Sequence, residues 1–116
     1  MKLSESIKSN SDFRNVYNNG RSYANKYLVM YVQKNGLDRN RLGVSVSKKV
    51  GNSVVRHRIT RLVRESYRLN ENMFNSGLDI VVVARSGAKG RSYNEISNAL
   101  IHLGKIHKIL KEMMMS

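Results

Sequence analysis

Hydrophobic and polar positions follow two different periods along this chain of 116 residues. Phe13, Val16 and Tyr17 are spaced i, i+3, i+4, which predicts a short helix that ends near 18–20. A period of two follows at 25–34 and again at 41–47, and each segment is predicted to be a strand. Because the loop between them is short, the two strands are predicted to pair as an antiparallel hairpin.

The faces of these two strands differ in character. In the first strand, Tyr27 and Tyr31 point to one side together with Val29, and Leu28, Met30 and Val32 point to the other. In the second strand, one face carries only small residues: Gly43, Ser45 and Ser47. Either a helix or a ligand has room beside that face, and periodicity does not decide between them.

The second half of the chain contains a longer helical pattern that Asn52 or Ser53 can cap. At about 100° per residue, one face of this helix is formed by Val55, Ile59, Leu62, Ser66, Leu69 and Met73. Residues 79–84 (DIVVVA) are a continuous apolar run, typical of a strand buried on both faces. Ser92 then opens a last helix with an inner face of Tyr93, Ile96, Leu100 and Leu103.

The predicted order of elements is therefore α-β-β-α-β-α. We expect residues 1–10 to be loosely held and the tail 113–116 to fray, because both are terminal and 1–10 are largely polar. No repeat or low-complexity linker divides the sequence, so residues 1–116 are predicted to form a single domain. Its fold class is α+β, a small sheet with helices packed mainly on one face.

The charge of the chain changes the picture, because 21 basic residues face 8 acidic ones and the net charge is +13. Such an excess favours nucleic acid as a partner first and an anionic membrane second. Seven basic residues and one acid, Glu65, lie in 48–68, so this stretch carries +6 of the total. Opposite the apolar face of the predicted helix lie His57, Arg61, Arg64 and Arg68, with Arg56 and Arg58 on the flanks. Like charges at this spacing repel, which favours an anionic partner over a merely solvated face.

Composition argues against several other classes. There is no cysteine, the acids are scattered, and His102 and His107 do not share a helix face, so we expect neither catalytic side chains nor a metal site. The sequence has no apolar run of membrane-spanning length and no secretory signal, so we expect a cytoplasmic protein without a membrane partner. The helix could enter a DNA major groove, but arginines without an Asn or Gln reading position favour backbone recognition. Exposed tyrosines favour unpaired RNA, and DNA is not the expected partner.

Residues 41–58 (RLGVSVSKKVGNSVVRHR), with Arg61, Leu62 and Arg64, closely resemble the signature of the bacterial ribonuclease P protein subunit. The resemblance extends to 12–13 (DF), 20–22 (GRS) and 79–85 (DIVVVAR). Three positions depart from the usual motif. His57 stands in place of Asn, Thr60 in place of Lys, and Ser53 where Ala is common.

This resemblance implies a ribosomal-protein-like α+β fold with a left-handed βαβ crossover that carries the basic helix. It implies a subunit that binds the catalytic RNA of ribonuclease P and the 5′ leader of precursor tRNA. The complex removes that leader by endonucleolytic hydrolysis during tRNA 5′ maturation, and the chemistry belongs to the RNA and its Mg²⁺ ions. A general RNA-binding or ribosomal protein, and a protein-only nuclease, are the alternatives.

The resemblance and the basic stretch together give two sets of candidate site residues. The set expected to bind the catalytic RNA comprises Lys48, Lys49, Asn52, Arg56, His57, Arg58, Arg61, Arg64 and Arg68. The resemblance implies a leader-binding cleft between the first helix and the sheet, lined by Phe13, Tyr17 and Tyr31. Tyr27 is added to that cleft because strand alternation places it on the same face as Tyr31.

Overall fold

A five-stranded mixed sheet forms the centre of the molecule in a computed structural model that describes residues 3–111. The elements in chain order are β1 (Ser4–Ser6), α1 (Asn10–Asn19), β2 (Arg21–Ala24), β3 (Leu28–Lys34), β4 (Asn40–Ser45), α2 (Ser53–Asn70), β5 (Leu78–Ala84) and α3 (Tyr93–Ile106). Short 3₁₀ turns lie at Glu71–Met73 and Ser86–Ala88. The predicted α+β class is confirmed, and the tail 113–116 lies outside the described residues.

The strands are arranged in the order β1-β4-β5-β3-β2. β4 and β5 are parallel neighbours joined through α2, so the predicted βαβ crossover is present. Its left hand stays a prediction from the resemblance. β3 runs antiparallel to both β5 and β2. The buried strand predicted at 79–84 is confirmed as β5, and all but one of its residues are buried.

The predicted hairpin between β3 and β4 is wrong, because β5 lies between them. β5 is the most apolar strand, and a central place buries both of its faces and pairs both of its edges. The Asn40 side chain fixes the chain as it enters β5. It accepts a hydrogen bond from the Leu78 N–H (2.8 Å) and donates one to the Asn75 carbonyl (2.7 Å).

Two strands were not expected from the sequence. β1 pairs in parallel with β4, and the N–H of buried Ile7 donates to the Leu42 carbonyl (2.8 Å). The expectation that residues 1–10 are loosely held is therefore wrong for 4–7. β2 pairs with β3 but all four of its residues are exposed, so it has no hydrophobic alternation to recognise. The observed order is β-α-β-β-β-α-β-α.

The helices divide between the two faces of the sheet. α2 and α3 cover one face through a core that includes Leu28, Leu42, Ile59, Ile80 and Leu100. α1 covers the other face, where Val16 packs with Ile7 and Val81. Two of the three helices thus share a face, as the predicted architecture requires.

The basic helix begins as predicted but is rotated about its axis. Asn52 is the N-cap, and its side chain accepts a hydrogen bond from the Val55 N–H (3.0 Å). The fully buried positions are Ile59, Val63, Ser66 and Tyr67. Leu69 was assigned to the inner face, and this is wrong because its side chain is 57% exposed. Tyr67 turns inward because its hydroxyl pairs with Ser4 Oγ (2.9 Å) and accepts from Asn40 Nδ2 (3.1 Å).

Candidate nucleic-acid interface

The outer face of α2 forms an open groove of about 1,020 Å³. We define the outer face of α2 by the groove's lining: Ser6, Ser53, Val54, His57, Arg58, Arg61, Leu62, Arg64, Glu65 and Arg68. Four arginines and a single carboxylate therefore share one surface. Helix periodicity alone brings them together, because residues three and four apart lie side by side on a helix.

The arginines of α2 differ in what holds them. Arg61 is exposed and has no hydrogen-bond or ion-pair partner within residues 3–111. Arg64 is partly buried, and its Nη1 donates to Ser6 Oγ in β1 (3.0 Å). The β1 strand, missed in the sequence, thus positions a predicted RNA-binding side chain.

Two further arginines of α2 are held by protein groups. Arg68 forms a two-point ion pair with Glu65, with 3.0 Å between Nε and Oε1. The hydrogen bonds of this pair raise the pKa of Arg68 and lower that of Glu65. Arg56 Nη1 donates to the Gly51 carbonyl (3.0 Å), so this guanidinium lies against the turn that leads into the helix. Arg58 Nη1 donates to the Arg91 carbonyl (3.0 Å), so among the described residues the outer-face arginines with no acidic partner are Arg58, Arg61 and Arg64.

The remaining members of the predicted RNA-binding set flank the start of α2. Lys48 and Lys49 are exposed in the turn between β4 and the helix, and buried Val50 anchors that turn. The Asn52 oxygen is used in capping the helix, which leaves its NH₂ group for a partner.

A second concave surface, the α1–α2 cleft, has a volume of about 690 Å³ and lies between the two helices over the end of β4. It is lined by Asn10, Phe13, Arg14, Tyr17, Val44, Ser45, Val46, Ser53, Arg56, His57 and Thr60. Ser53 and His57 line both surfaces, so the α1–α2 cleft meets the outer face of α2 along the first turns of that helix. All three departures from the motif, at positions 53, 57 and 60, line this cleft.

An aromatic row runs from the cleft onto the sheet: Phe13 and Tyr17 of α1 line the cleft, and Tyr31 of β3 contacts Tyr17 but does not line it. The ring centroids of Phe13 and Tyr17 are 6.3 Å apart, and Tyr17 meets Tyr31 edge-on at 5.0 Å. Phe13 lies so close to Gly43 that a Cβ at that position would stand 2.7 Å from the ring. A helix therefore fills the space beside Gly43, while Ser45, two residues on, lines the open cleft. This resolves the choice that periodicity left open for the small-residue face.

An ion-pair network holds α1 against the sheet. Arg41 in β4 donates two hydrogen bonds to the buried Asp79 carboxylate, from Nε to Oδ1 (2.8 Å) and from Nη2 to Oδ2 (2.6 Å). Its Nη1 also lies 3.4 Å from Asp12 in the first turn of α1. Burial raises the pKa of Asp79, but hydrogen bonds from Arg41 and Asn35 outweigh it and bring the pKa below its ordinary value.

Tyr27 is not part of the cleft, and its assignment there is wrong. β3 begins at Leu28, so the alternation that placed Tyr27 beside Tyr31 does not reach it. Its ring packs instead against the core on the α2 and α3 side, and its hydroxyl lies 3.5 Å from Glu95 of α3.

Asn10 and Arg14 were missed as cleft residues. They share the cleft with Phe13 and Tyr17 at helical spacing, so the same pattern that found the aromatics could have found them.

Within residues 3–111, no group of three histidine, aspartate or glutamate side chains is placed to hold a metal ion. The Mg²⁺ implied by the resemblance therefore has no fitting site among these side chains. None of the helices in the same range combines the length and apolarity needed to cross a lipid bilayer.

Known proteins that resemble this chain match it over nearly its whole length. A sequence model of the family described as Ribonuclease P matches residues 1–108. The ribonuclease P protein component of Lachnoclostridium phytofermentans is 70% identical over 108 residues, which cover 93% of each chain. That of Alkaliphilus metalliredigens is 51% identical and covers 95% of this chain and 99% of its own.

Solved structures give the same result. The RNase P protein of Staphylococcus aureus superposes with a TM-score of 0.84 at 41% identity, over 91% of this chain and 97% of that one. The Thermotoga maritima RNase P protein superposes with a TM-score of 0.79 at 32% identity, over 85% and 94% of the two chains. Sequence, fold and basic helix converge, and the chain belongs to the ribonuclease P protein family.

Proposed function

We propose that this chain, a ribonuclease P protein component in tRNA 5′ processing, binds the catalytic RNA through the outer face of α2. The observation that carries the proposal is the set of unneutralised guanidiniums there. Arg61 and Arg64 point from one rigid helix without an acidic partner among residues 3–111. Guanidinium groups match phosphate oxygens with paired donors, and a helix holds them at a fixed spacing. Residues 1–116 would then act as one RNA-binding domain.

We also propose that the α1–α2 cleft holds the single-stranded 5′ leader of precursor tRNA. Tyr17 is 37% exposed and forms an aromatic edge with Phe13 and Tyr31, on which unpaired bases can stack. Arg14 and Arg56 line the same cleft and supply charge for the leader backbone. Because the cleft and the outer face meet at His57, one protein can contact both RNAs at once.

The protein belongs to an endoribonuclease complex, and we propose that it contributes no catalytic side chain of its own. In the described part of the chain, Asp12 in the first turn of α1 pairs with Arg41, and Glu65 on the outer face of α2 pairs with Arg68. Mg²⁺ ions would act on the RNA, where they supply the charge stabilisation that phosphodiester hydrolysis needs. We place the complex in the cytoplasm, where precursor tRNA is processed.

Reconstitution with the catalytic RNA at low Mg²⁺ tests the proposed subunit role. The protein is expected to raise the rate of precursor cleavage several-fold, since a basic subunit replaces part of the counterion charge that folded RNA requires. The isolated protein should not cleave precursor tRNA. A general RNA-binding protein would bind without raising the rate, and cleavage by the protein alone would contradict the proposed division of labour.

Replacing Tyr17 with alanine tests the leader cleft, because Tyr17 lines it and is exposed. With the holoenzyme, Tyr17→Ala is expected to weaken binding of leader-bearing precursor by about 5- to 150-fold, because one base–aromatic stack contributes roughly 1–3 kcal/mol. Binding of mature tRNA, which lacks the leader, should change little. Tyr23→Ala is the matched control, because Tyr23 and Tyr17 are each 37% exposed but Tyr23 packs against His107 away from the cleft. Equal losses for both RNAs would mean that the aromatics only support the fold.

A further inference from the structure

We propose that the loop at 85–91, together with Lys26 and Arg58, forms a second RNA-binding surface that takes a phosphodiester backbone. We call it the 85–91 loop surface. It extends the RNA-binding function proposed above to the side of α2 that faces α3. None of its residues lines the α1–α2 cleft, and only Arg58 is shared with the outer face of α2.

The loop is locked to the turn before β3. The Arg85 N–H donates to the Tyr27 carbonyl (2.8 Å), and Arg85 Nη1 donates to the Asn25 carbonyl (2.7 Å). Ala88 is fully buried under the loop. A Cβ on Gly87 would stand 3.0 Å from the Lys26 carbonyl, so the two backbones are in close contact. The loop therefore presents its side chains from a fixed frame, and little conformational entropy is lost when a ligand binds.

Five cations converge on this frame, and all five are exposed: Lys26, Arg58, Arg85, Lys89 and Arg91. Arg58 Nη1 donates to the Arg91 carbonyl (3.0 Å), which ties α2 directly to the loop. Within residues 3–111, the acid in contact with them is Glu95, which lies 3.5 Å from Arg91 and also accepts a hydrogen bond from the Ser92 N–H in the capping box of α3. One carboxylate leaves a net charge of +4, five cations less one acid, on a small rigid surface.

Arginine stacking distinguishes this surface from a solvated charged loop. The Arg91 guanidinium lies over the Tyr27 ring, 5.4 Å from its centroid. Its side chain is 44% exposed, so part of the guanidinium is open to solvent. A guanidinium supported by a ring can stack on a base or pair with a phosphate, which suits RNA better than an isolated anion. The position of Tyr27, unexplained by the leader cleft, is accounted for by this role.

Lys26→Ala/Lys89→Ala in the full-length protein tests the proposal, since neither lysine side chain has a bonded partner within residues 3–111. The matched control is Lys34→Ala/Lys105→Ala, which removes the same charge from the far end of β3 and the last turn of α3. Binding to the catalytic RNA is measured against salt. The loop variant is expected to bind about tenfold more weakly than the control, with a log–log salt slope smaller by about 1.5, at roughly 0.7–0.9 per phosphate contact.

A second arm identifies which RNA is bound. If the catalytic RNA occupies the surface, the loss of affinity appears when the protein binds the catalytic RNA in the absence of tRNA. If the tRNA body occupies it, the loss appears only when the assembled holoenzyme binds tRNA, and it is equal for precursor and mature forms. Either result supports the proposal. The loop variant matching the control in both arms would overturn it, and this failure is distinct because the wild-type protein would still stimulate cleavage at low Mg²⁺.

Arg91→Lys separates stacking from charge. Lysine keeps the charge but loses the planar guanidinium over Tyr27, so binding of RNA is expected to fall about threefold or more below wild type. If Arg91→Lys and Lys26→Ala/Lys89→Ala both bind RNA with wild-type affinity, the proposal is wrong and these side chains are only solvated.

Discussion

Replacing Asp79 with alanine is expected to lower the free energy of unfolding by about 3–5 kcal/mol, because it removes the buried carboxylate that Arg41 binds at two points and leaves only Asp12, 3.4 Å away, as the acid beside that guanidinium among the described residues. The Asp79 side chain is 3% exposed and that of Arg41 25%. Asn35 Nδ2 also donates to the same carboxylate (3.0 Å), and the substitution leaves it only its bond to the Arg39 carbonyl. Urea unfolding at neutral pH measures the loss. Asp38→Ala, which removes a 91% exposed partner of Arg39, is the matched control and should change stability little.

The pH dependence of stability gives an independent check on the same ion pair. Because the pKa of Asp79 is lowered in the folded protein, its contribution is present above the unfolded carboxyl pKa of about 3.9 and is lost as pH falls through the folded value. Wild type should therefore lose stability in acid below that range, and Asp79→Ala should lose less there. An Asp79→Ala variant as stable as wild type at neutral pH would contradict the stabilising role assigned to the Arg41–Asp79 pair.

The elements that the sequence predicts best are those whose own hydrophobic pattern is decisive. α2 is capped at Asn52 and β5 is buried on both faces, as expected from an amphipathic period and from a continuous apolar run. Pairing of strands is different, because it depends on partners distant in sequence. β5 lies between β3 and β4 because burying both of its apolar faces stabilises the fold more than a hairpin between β3 and β4 would. β2 carries no apolar pattern and is held by backbone hydrogen bonds to β3.

The candidate site shows the same division. Helical spacing was enough to place the arginines on one outer face, because that depends only on local geometry. It could not show which guanidiniums are already engaged, since Ser6 and the Arg91 carbonyl lie 58 and 33 residues away from their partners. Nor could it place Tyr27, because strand alternation holds only inside the strand. Contacts with residues distant in sequence thus determine which of the arginines on α2 are already bound to protein groups and which are free to bind RNA.

Replacing Arg61 and Arg64 together with alanine is expected to weaken binding of the catalytic RNA by about 100-fold or more. Each substitution removes a charge-assisted hydrogen bond to phosphate, which contributes roughly 1.5–3 kcal/mol. The control is Glu65→Ala/Arg68→Ala, which removes an ion pair from the same outer face without a change in net charge. It should weaken binding much less, because Arg68 already shares its charge with Glu65.

Salt titration of binding separates these outcomes. The Arg61→Ala/Arg64→Ala slope should fall by about 1.5 relative to wild type, whereas the control slope should stay close to it. Ser6→Ala adds a test of positioning, since it frees Arg64 from its bond to β1 without removing charge. It should weaken binding about two- to fivefold with an unchanged salt slope. Equal effects of the two double variants would contradict the assignment of RNA binding to Arg61 and Arg64, because the control leaves the net charge of the outer face unchanged.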